Sequence, residues 1–221
     1  MIEALVFDFD GLILDTETPI IQAWEEVHQR AGVTYSRAHA LSVVGHVDME
    51  FDPWLAFGPA ADRVKLDGEH KSLTREILQR QQILPGIQDY LDGARERGFQ
   101  LAIASNSPHV WVDRHLKRLG LWDRFHLVRC RDDVERGKPE PDVYQAVLTT
   151  FNLQGQNAIA FEDSYPGSIA AKRAGLWCVT VPNPSTHHHA FDHADLRLGS
   201  LAEVSLEALL ARFNAEATPA S

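Results

Sequence analysis

Cysteine is scarce in this 221-residue chain: Cys130 and Cys178 lack Cys-x-x-Cys spacing, and each sits in an apolar, strand-like context. That argues against a disulfide framework and predicts two buried thiols of a reducing compartment. Positive charge is also short, with 21 Lys and Arg against 31 Asp and Glu and a net charge of −10. Such a balance argues against a nucleic-acid partner, because binding a polyphosphate backbone requires cationic side chains. An anionic small substrate would need positive charge placed locally. No apolar run is long enough to span a bilayer, so no membrane partner is expected. Met1-Ile2-Glu3 leads straight into a strand-like run without a basic leader, which sets the expectation of a cytoplasmic protein. Repeats and low-complexity segments are absent. An apolar share of 44% with 24% charged residues is enough for a sizeable core, either one large domain or a core with an insertion.

Strand-like runs recur at Ala4–Phe9, Leu101–Ser105, His126–Cys130, Ala158–Glu162 and Trp177–Val181. Helical stripes lie between them: Ile87, Tyr90, Leu91 and Ala94; Val112, Leu116 and Leu119; Tyr144, Val147, Leu148 and Phe151. Gly98 and Gly120 close the first two, and Gly175 closes a shorter helix after Ile169 and Ala170. This alternation predicts an α/β fold with a mostly parallel sheet covered on both faces, whose ligands bind at the C-terminal strand ends.

The interval 17–83 breaks the rhythm. It carries a helical pattern over Pro19–Ala31 and another near Ala60–Arg80, and no convincing strand. It separates the first two strands by about 90 residues, far beyond an ordinary connection. The expectation is a helical domain at 17–83 inserted into a core made of 1–16 and 84–221. Hinges would lie near Asp15–Glu17 and Leu84-Pro85-Gly86, and the tail 217–221 would be frayed.

The predicted strand ends carry coherent chemistry. The first delivers Asp8 and Asp10, two carboxylates on one face of an extended chain, followed by Gly11. Unneutralised, such a pair repels by roughly 4 kcal/mol at ~4 Å and an effective dielectric constant of about 20. A metal, a shared proton or a lysine has to offset that. The second strand ends in Ser105-Asn106-Ser107-Pro108 and the fourth in Glu162-Asp163-Ser164 with Gly167, while Gly137-Lys138-Pro139-Glu140-Pro141-Asp142 holds one lysine between prolines. Singly these have plainer readings: Ser105 as a helix cap, Lys138 as a solvated lysine, Glu162 and Asp163 as partners of a helix dipole. Together at one sheet edge, four carboxylates, a lysine and a hydroxyl fit a hard divalent cation and a phosphoryl group.

In these motifs the chain resembles the haloacid dehalogenase superfamily of phosphotransferases. The matching segments are Asp8 through Thr16, Ser105, the Gly-Lys-Pro-x-Pro-Asp-x-Tyr run around Lys138, and Glu162-Asp163-Ser164 with Gly167. The resemblance implies a Rossmann-like, doubly wound core with a helical (C1) cap, closest to the β-phosphoglucomutase and phosphoglycolate phosphatase branch, and often monomeric. It implies Asp8 as nucleophile, forming an aspartyl-phosphate, and Asp10 as general acid and then base. Mg²⁺ would be held by Asp8, the Asp10 carbonyl, Asp163 and Glu162. Ser105, Asn106 and Lys138 would bind the phosphoryl group.

Asp10 disfavours a dehalogenase or a phosphonatase, since those members lack this second acid. The mutase has a histidine and a cap arginine where this chain places Ile20 and Asp48. The expectation is therefore a phosphatase acting on a small phosphorylated metabolite, with the mutase as alternative and a receiver-like phospho-acceptor domain as the alternative of another class. Among the cap cations Arg37, His39, His46, Arg63, Lys65, His70, Lys71 and Arg75, His46 beside Gly45 is the candidate substrate contact. Trp54, Leu55 and Phe57 are expected to pack the cap, and His187-His188-His189 with His193 to form a solvated loop.

Overall fold

The computed structural model describes residues 1–37, 40 and 52–216. Six strands form one parallel sheet: β1 (Ala4–Phe7), β2 (Gln100–Ala104), β3 (Leu127–Arg129), β4 (Ala158–Glu162), β5 (Trp177–Thr180) and β6 (Leu196–Arg197). Their order is β3-β2-β1-β4-β5-β6. The chain winds one way from β1 to β3 and the other way from β4 to β6, so the crevice beyond the ends of β1 and β4 is the topological switch point where such sheets bind ligands.

The alternation of β1 explains the layers. Leu5 and Phe7 face one core cluster, with Ile87, Tyr90 and Leu91 of α3 (Ile87–Glu96), Val112 and Leu116 of α4 (His109–Arg118), and Leu209 and Phe213 of α7 (Leu206–Glu216). Ala4 and Val6 face the other, with Val143, Tyr144 and Val147 of α5 (Asp142–Phe151) and Ala170 and Ala171 of α6 (Tyr165–Arg173). All four β1 residues are fully buried, as expected of a central strand in a doubly covered sheet. Phe7 stacks on Phe161 of the neighbouring strand at 4.8 Å. The five strands expected from the sequence are present; β6 and α7 extend the pattern beyond them.

Between β1 and β2 lie α1 (Glu17–Ala31) and α2 (Arg63–Arg80). His70 of α2 stacks on Trp24 of α1 at 5.0 Å, and its Nε2 hydrogen-bonds with the Ile20 carbonyl. Trp54 is buried as expected, stacks on His28 and donates its Nε1–H to Asp67 at 2.7 Å. Phe57 meets the same His28 edge-on. Leu55 departs from expectation: it lies in a one-turn helix at Leu55–Phe57 with its side chain in solvent, 74% exposed.

The two crossings between core and insertion are laced together. Gly11 N–H donates to the Leu14 carbonyl, Leu14 bridges to Ile83, and Leu84 N–H donates to the Ile13 carbonyl at 2.9 Å. Gly11 must be glycine: its φ is +75°, and a Cβ there would land on the Asp163 carboxylate and the Asn183 amide.

Candidate active site

Asp8 leaves the end of β1 buried, with its Oδ1 accepting from the Phe9 amide at 2.7 Å and lying 3.1 Å from Lys138 Nζ. The same ammonium reaches Glu162 Oε1 at 2.6 Å, at the end of β4. Glu162 is fully buried, and its Oε1 also accepts from the Tyr144 hydroxyl at 2.5 Å. Gly167 makes room for it, because a Cβ at that position would overlap the Glu162 carboxylate. Lys138 is thus a buried residue joining two strand ends, and the reading of it as a solvated lysine is set aside.

The backbone of Lys138 is fixed by Asn106, whose side chain accepts from Lys138 N–H at 2.8 Å and donates to its carbonyl at 3.1 Å. Gly137 is again a steric requirement, since a Cβ would strike Asn106 Oδ1. Ser105 is buried, and its Oγ accepts from the Ser107 amide at 3.0 Å. It forms a turn ahead of α4 rather than capping it, since that helix begins after Pro108.

Electrostatics follow from this packing. Burial, then Glu162, raise the Asp8 pKa to about 7 against the pull of Lys138. Burial, then Asp8 and Glu162, raise that of Asp163 well above the carboxylate range. Burial works against the Lys138 ammonium, but Asp8 and Glu162 outweigh it and hold its pKa above the ordinary lysine value. Asp10 sits beside this group with a pKa raised by burial, opposed by hydrogen bonds from Ser107 and Trp111.

Asp8, Glu162 and Asp163 each bring a buried carboxylate oxygen within 4.8 Å of the others. Three desolvated carboxylates facing one lysine leave uncompensated negative charge, and their donor set is all oxygen. Both properties fit a hard divalent cation such as Mg²⁺. Asn183 Nδ2 donates to Asp163 Oδ2 at 2.8 Å and orients it.

The structure therefore brings together Asp8, Asp10, Ser105, Asn106, Lys138, Glu162 and Asp163, all read from the sequence as site residues. His46, with His39 and Asp48, lies outside the described residues. Arg37 and Arg63 pair with Glu25 and Asp52 on the surface, and His70 is taken up between α1 and α2. Four contributors were not assigned to the site from sequence: Ser107, Trp111, Tyr144 and Asn183. Tyr144 lies in the quoted lysine signature, but its place on an apolar stripe concealed its hydroxyl's role.

Behind Trp111, in the same helix, His115 is 2% exposed and neither ring nitrogen has a hydrogen-bond partner. Burial, followed by Arg118 and Arg114, lowers its pKa. A depressed imidazole contributes its full stability above the ordinary value near 6.5 and loses it as the pH falls, because the unfolded chain takes a proton that the folded one refuses. Replacing His115 by Leu is expected to stabilise the protein by about 1 kcal/mol at pH 7.5. The gain should grow toward pH 5.5, as paired urea titrations would show. His109 runs the other way: burial opposes its charge, but Asp113 and Asp133 raise its pKa, so it loses stability as the pH rises. The difference between wild type and His115→Leu isolates the His115 contribution.

The sequence profile of the haloacid dehalogenase-like hydrolases matches residues 5–181. The chain belongs to that family. YhcW of Bacillus subtilis strain 168, which carries a provisional phosphatase name, is 38% identical over 223 residues, covering 98% of this chain and 100% of that protein. Hexitol phosphatase B of Escherichia coli K12 is 30% identical over 213 residues, covering 94% and 96%. Among solved structures, a CbbY variant from Rhodobacter sphaeroides in complex with xylulose-1,5-bisphosphate superposes with a TM-score of 0.72 at 27% identity, covering 95% and 99%. Within its family the chain is a phosphatase. Among the described residues no helix is long and apolar enough to cross a membrane.

Proposed function

We propose that the protein hydrolyses the phosphomonoester of a small polyol or sugar through an aspartyl-phosphate on Asp8, with Mg²⁺ as cofactor. The observation that carries this reading is the buried chain Asp8–Lys138–Glu162, with Asp10 alongside as a separate carboxyl of raised pKa. One carboxylate is thereby oriented for attack while a neighbour is kept able to carry a proton. The hexitol phosphatase and the bisphosphate-bound CbbY support the substrate class.

In the forward step an Asp8 carboxylate oxygen bonds to phosphorus, the bond from phosphorus to the leaving oxygen breaks, and Asp10 supplies the proton to the departing alkoxide. In the second step Asp10 takes a proton from water as the water oxygen bonds to phosphorus. The bond from Asp8 to phosphorus breaks, releasing inorganic phosphate and restoring both carboxyl groups. Lys138 and the Ser105 hydroxyl, with the main-chain amides beside Asn106, stabilise the phosphoryl oxygens as charge builds on them. Asp8, Asp163 and the Asp10 carbonyl would hold Mg²⁺, which when bound supplies charge neutralisation for the phosphoryl group. Glu162 borders that position and serves chiefly to hold Lys138. Residues 17–83 act as a cap that shapes the space for the leaving group.

Phosphate release from a panel of polyol, sugar and aryl phosphates is expected with Mg²⁺ and lost with EDTA, and Mg²⁺ should raise the melting temperature of the metal-free protein. A full panel without turnover in Mg²⁺ would overturn the reading. Steady turnover also separates it from a receiver-like domain. Interconversion of β-glucose 1-phosphate and glucose 6-phosphate would favour the mutase.

A further inference from the structure

Trp111 is the one aromatic side chain among the described residues with a polar atom on Asp10. Its indole Nε1–H donates to Asp10 Oδ1 at 2.8 Å, while Ser107 Oγ lies 2.6 Å from Oδ2. The two contacts differ chemically. An indole N–H can only donate, so Oδ1 must be an accepting oxygen; a hydroxyl can donate or accept. An oxygen that accepts from the indole is the poorer seat for a proton, which leaves Oδ2, facing Ser107, as the better one when Asp10 is protonated. The indole is itself set in place. Trp111 is half-buried in the first turn of α4, and its ring meets His115 edge-to-face at 4.4 Å. The other neighbour of His115 is Phe9, the residue between the two aspartates, with ring centroids 6.2 Å apart. His115 therefore backs the indole and is itself packed against Phe9, while the indole N–H points at the carboxyl.

We infer that Trp111 is a positioning residue for proton transfer: its N–H orients the Asp10 carboxyl and assigns the transferable proton to Oδ2. The inference rests on Asp10 as the proton donor proposed above. If it holds, losing the N–H matters in proportion to how much the leaving group needs a proton. An alkoxide needs one; p-nitrophenolate leaves without it. The parameter kcat/KM covers only the transfer to Asp8, so it isolates this step from hydrolysis of the intermediate.

Trp111→Phe keeps an aromatic ring and removes the N–H. It should lower kcat/KM about tenfold, the upper scale of one ordinary hydrogen bond, for the best alkyl phosphate of the panel, and barely change it for p-nitrophenyl phosphate. Asp10→Asn should show the same contrast at about 10²-fold or more. Equal losses on both esters, or none on the alkyl ester, would overturn the inference. A second measurement is independent of turnover. In ¹⁵N-labelled protein the five tryptophans give indole N–H signals, and the one missing in Trp111→Phe should move upfield in Asp10→Ala. An unmoved signal would overturn the contact even in a protein that hydrolyses nothing. Absent turnover with a moved signal would instead sink the phosphatase mechanism and leave the contact standing.

Discussion

Asp8→Asn is expected to abolish phosphate release, by at least about 10⁴-fold, the scale on which enzymes respond to loss of a covalent nucleophile. An amide of the same shape keeps the hydrogen-bonding frame at the end of β1, but it offers phosphorus no anionic oxygen. The fold should survive. Burial, then Glu162, raise the Asp8 pKa to about 7, so removing its charge lifts a desolvation cost and a repulsion at neutral pH, while Lys138 keeps its 2.6 Å contact with Glu162. Stopped activity with an unchanged or higher melting temperature is the expected pair of results. A variant within tenfold of wild type would refute Asp8 as nucleophile.

Lys138→Met is expected to damage stability and activity together. The methionine fills much of the lysine volume, yet it leaves Asp8 and the fully buried Glu162 facing each other without their shared cation. Breaking a buried ion pair from one side costs about 3–5 kcal/mol, because the abandoned charge cannot return to water. The pH dependence carries a sign. Asp8 already has a folded-state pKa raised above its unfolded one by burial and then Glu162. Without the lysine that opposes this, the native state takes up protons relative to the unfolded chain and loses stability as the pH rises. The deficit against wild type should be smallest near pH 5 and widen toward pH 8. The ammonium titrates far above this window, so in the wild type the lysine stays charged across it and holds down the carboxylate beside it. Urea denaturation at three pH values measures the widening; a deficit independent of pH would mean that Lys138 acts by packing alone.

Most of the fold was legible because its signals are local. Strand runs ending in polar clusters and stripes closed by glycine located five strands and their intervening helices. The two-residue β6 has too little pattern to announce itself. Leu55 shows the limit of composition as a guide, since an apolar residue in a helix-rich insertion ended up in solvent. In the site, Asp8 and Asp163 were visible because each stands at the end of a predicted strand, and Lys138 because it stands alone in a proline-flanked run. Their partners were not, because those contacts depend on tertiary closure. Trp111 is 101 residues from Asp10, and Asn183 is 20 residues from Asp163 in a segment that reads as a plain turn. Glu162 was expected as a metal ligand from the family resemblance. Its contacts with Lys138 and Tyr144 could not be anticipated without knowing that α5 lays its tyrosine against the end of β4.

The position of β1 has a consequence for how the chain is made. Its neighbour β4 pairs Ala158 with Ala4, across 154 residues of sequence. At a synthesis rate of about 5–20 residues per second, one edge of the first strand to emerge from the ribosome waits roughly 8–30 seconds for its partner. Through that interval the nascent chain carries an apolar strand with an open edge, the kind of surface that chaperones bind and that seeds aggregation. Asp8, the proposed nucleophile, follows directly on that strand, so the site cannot assemble until β4 has been made.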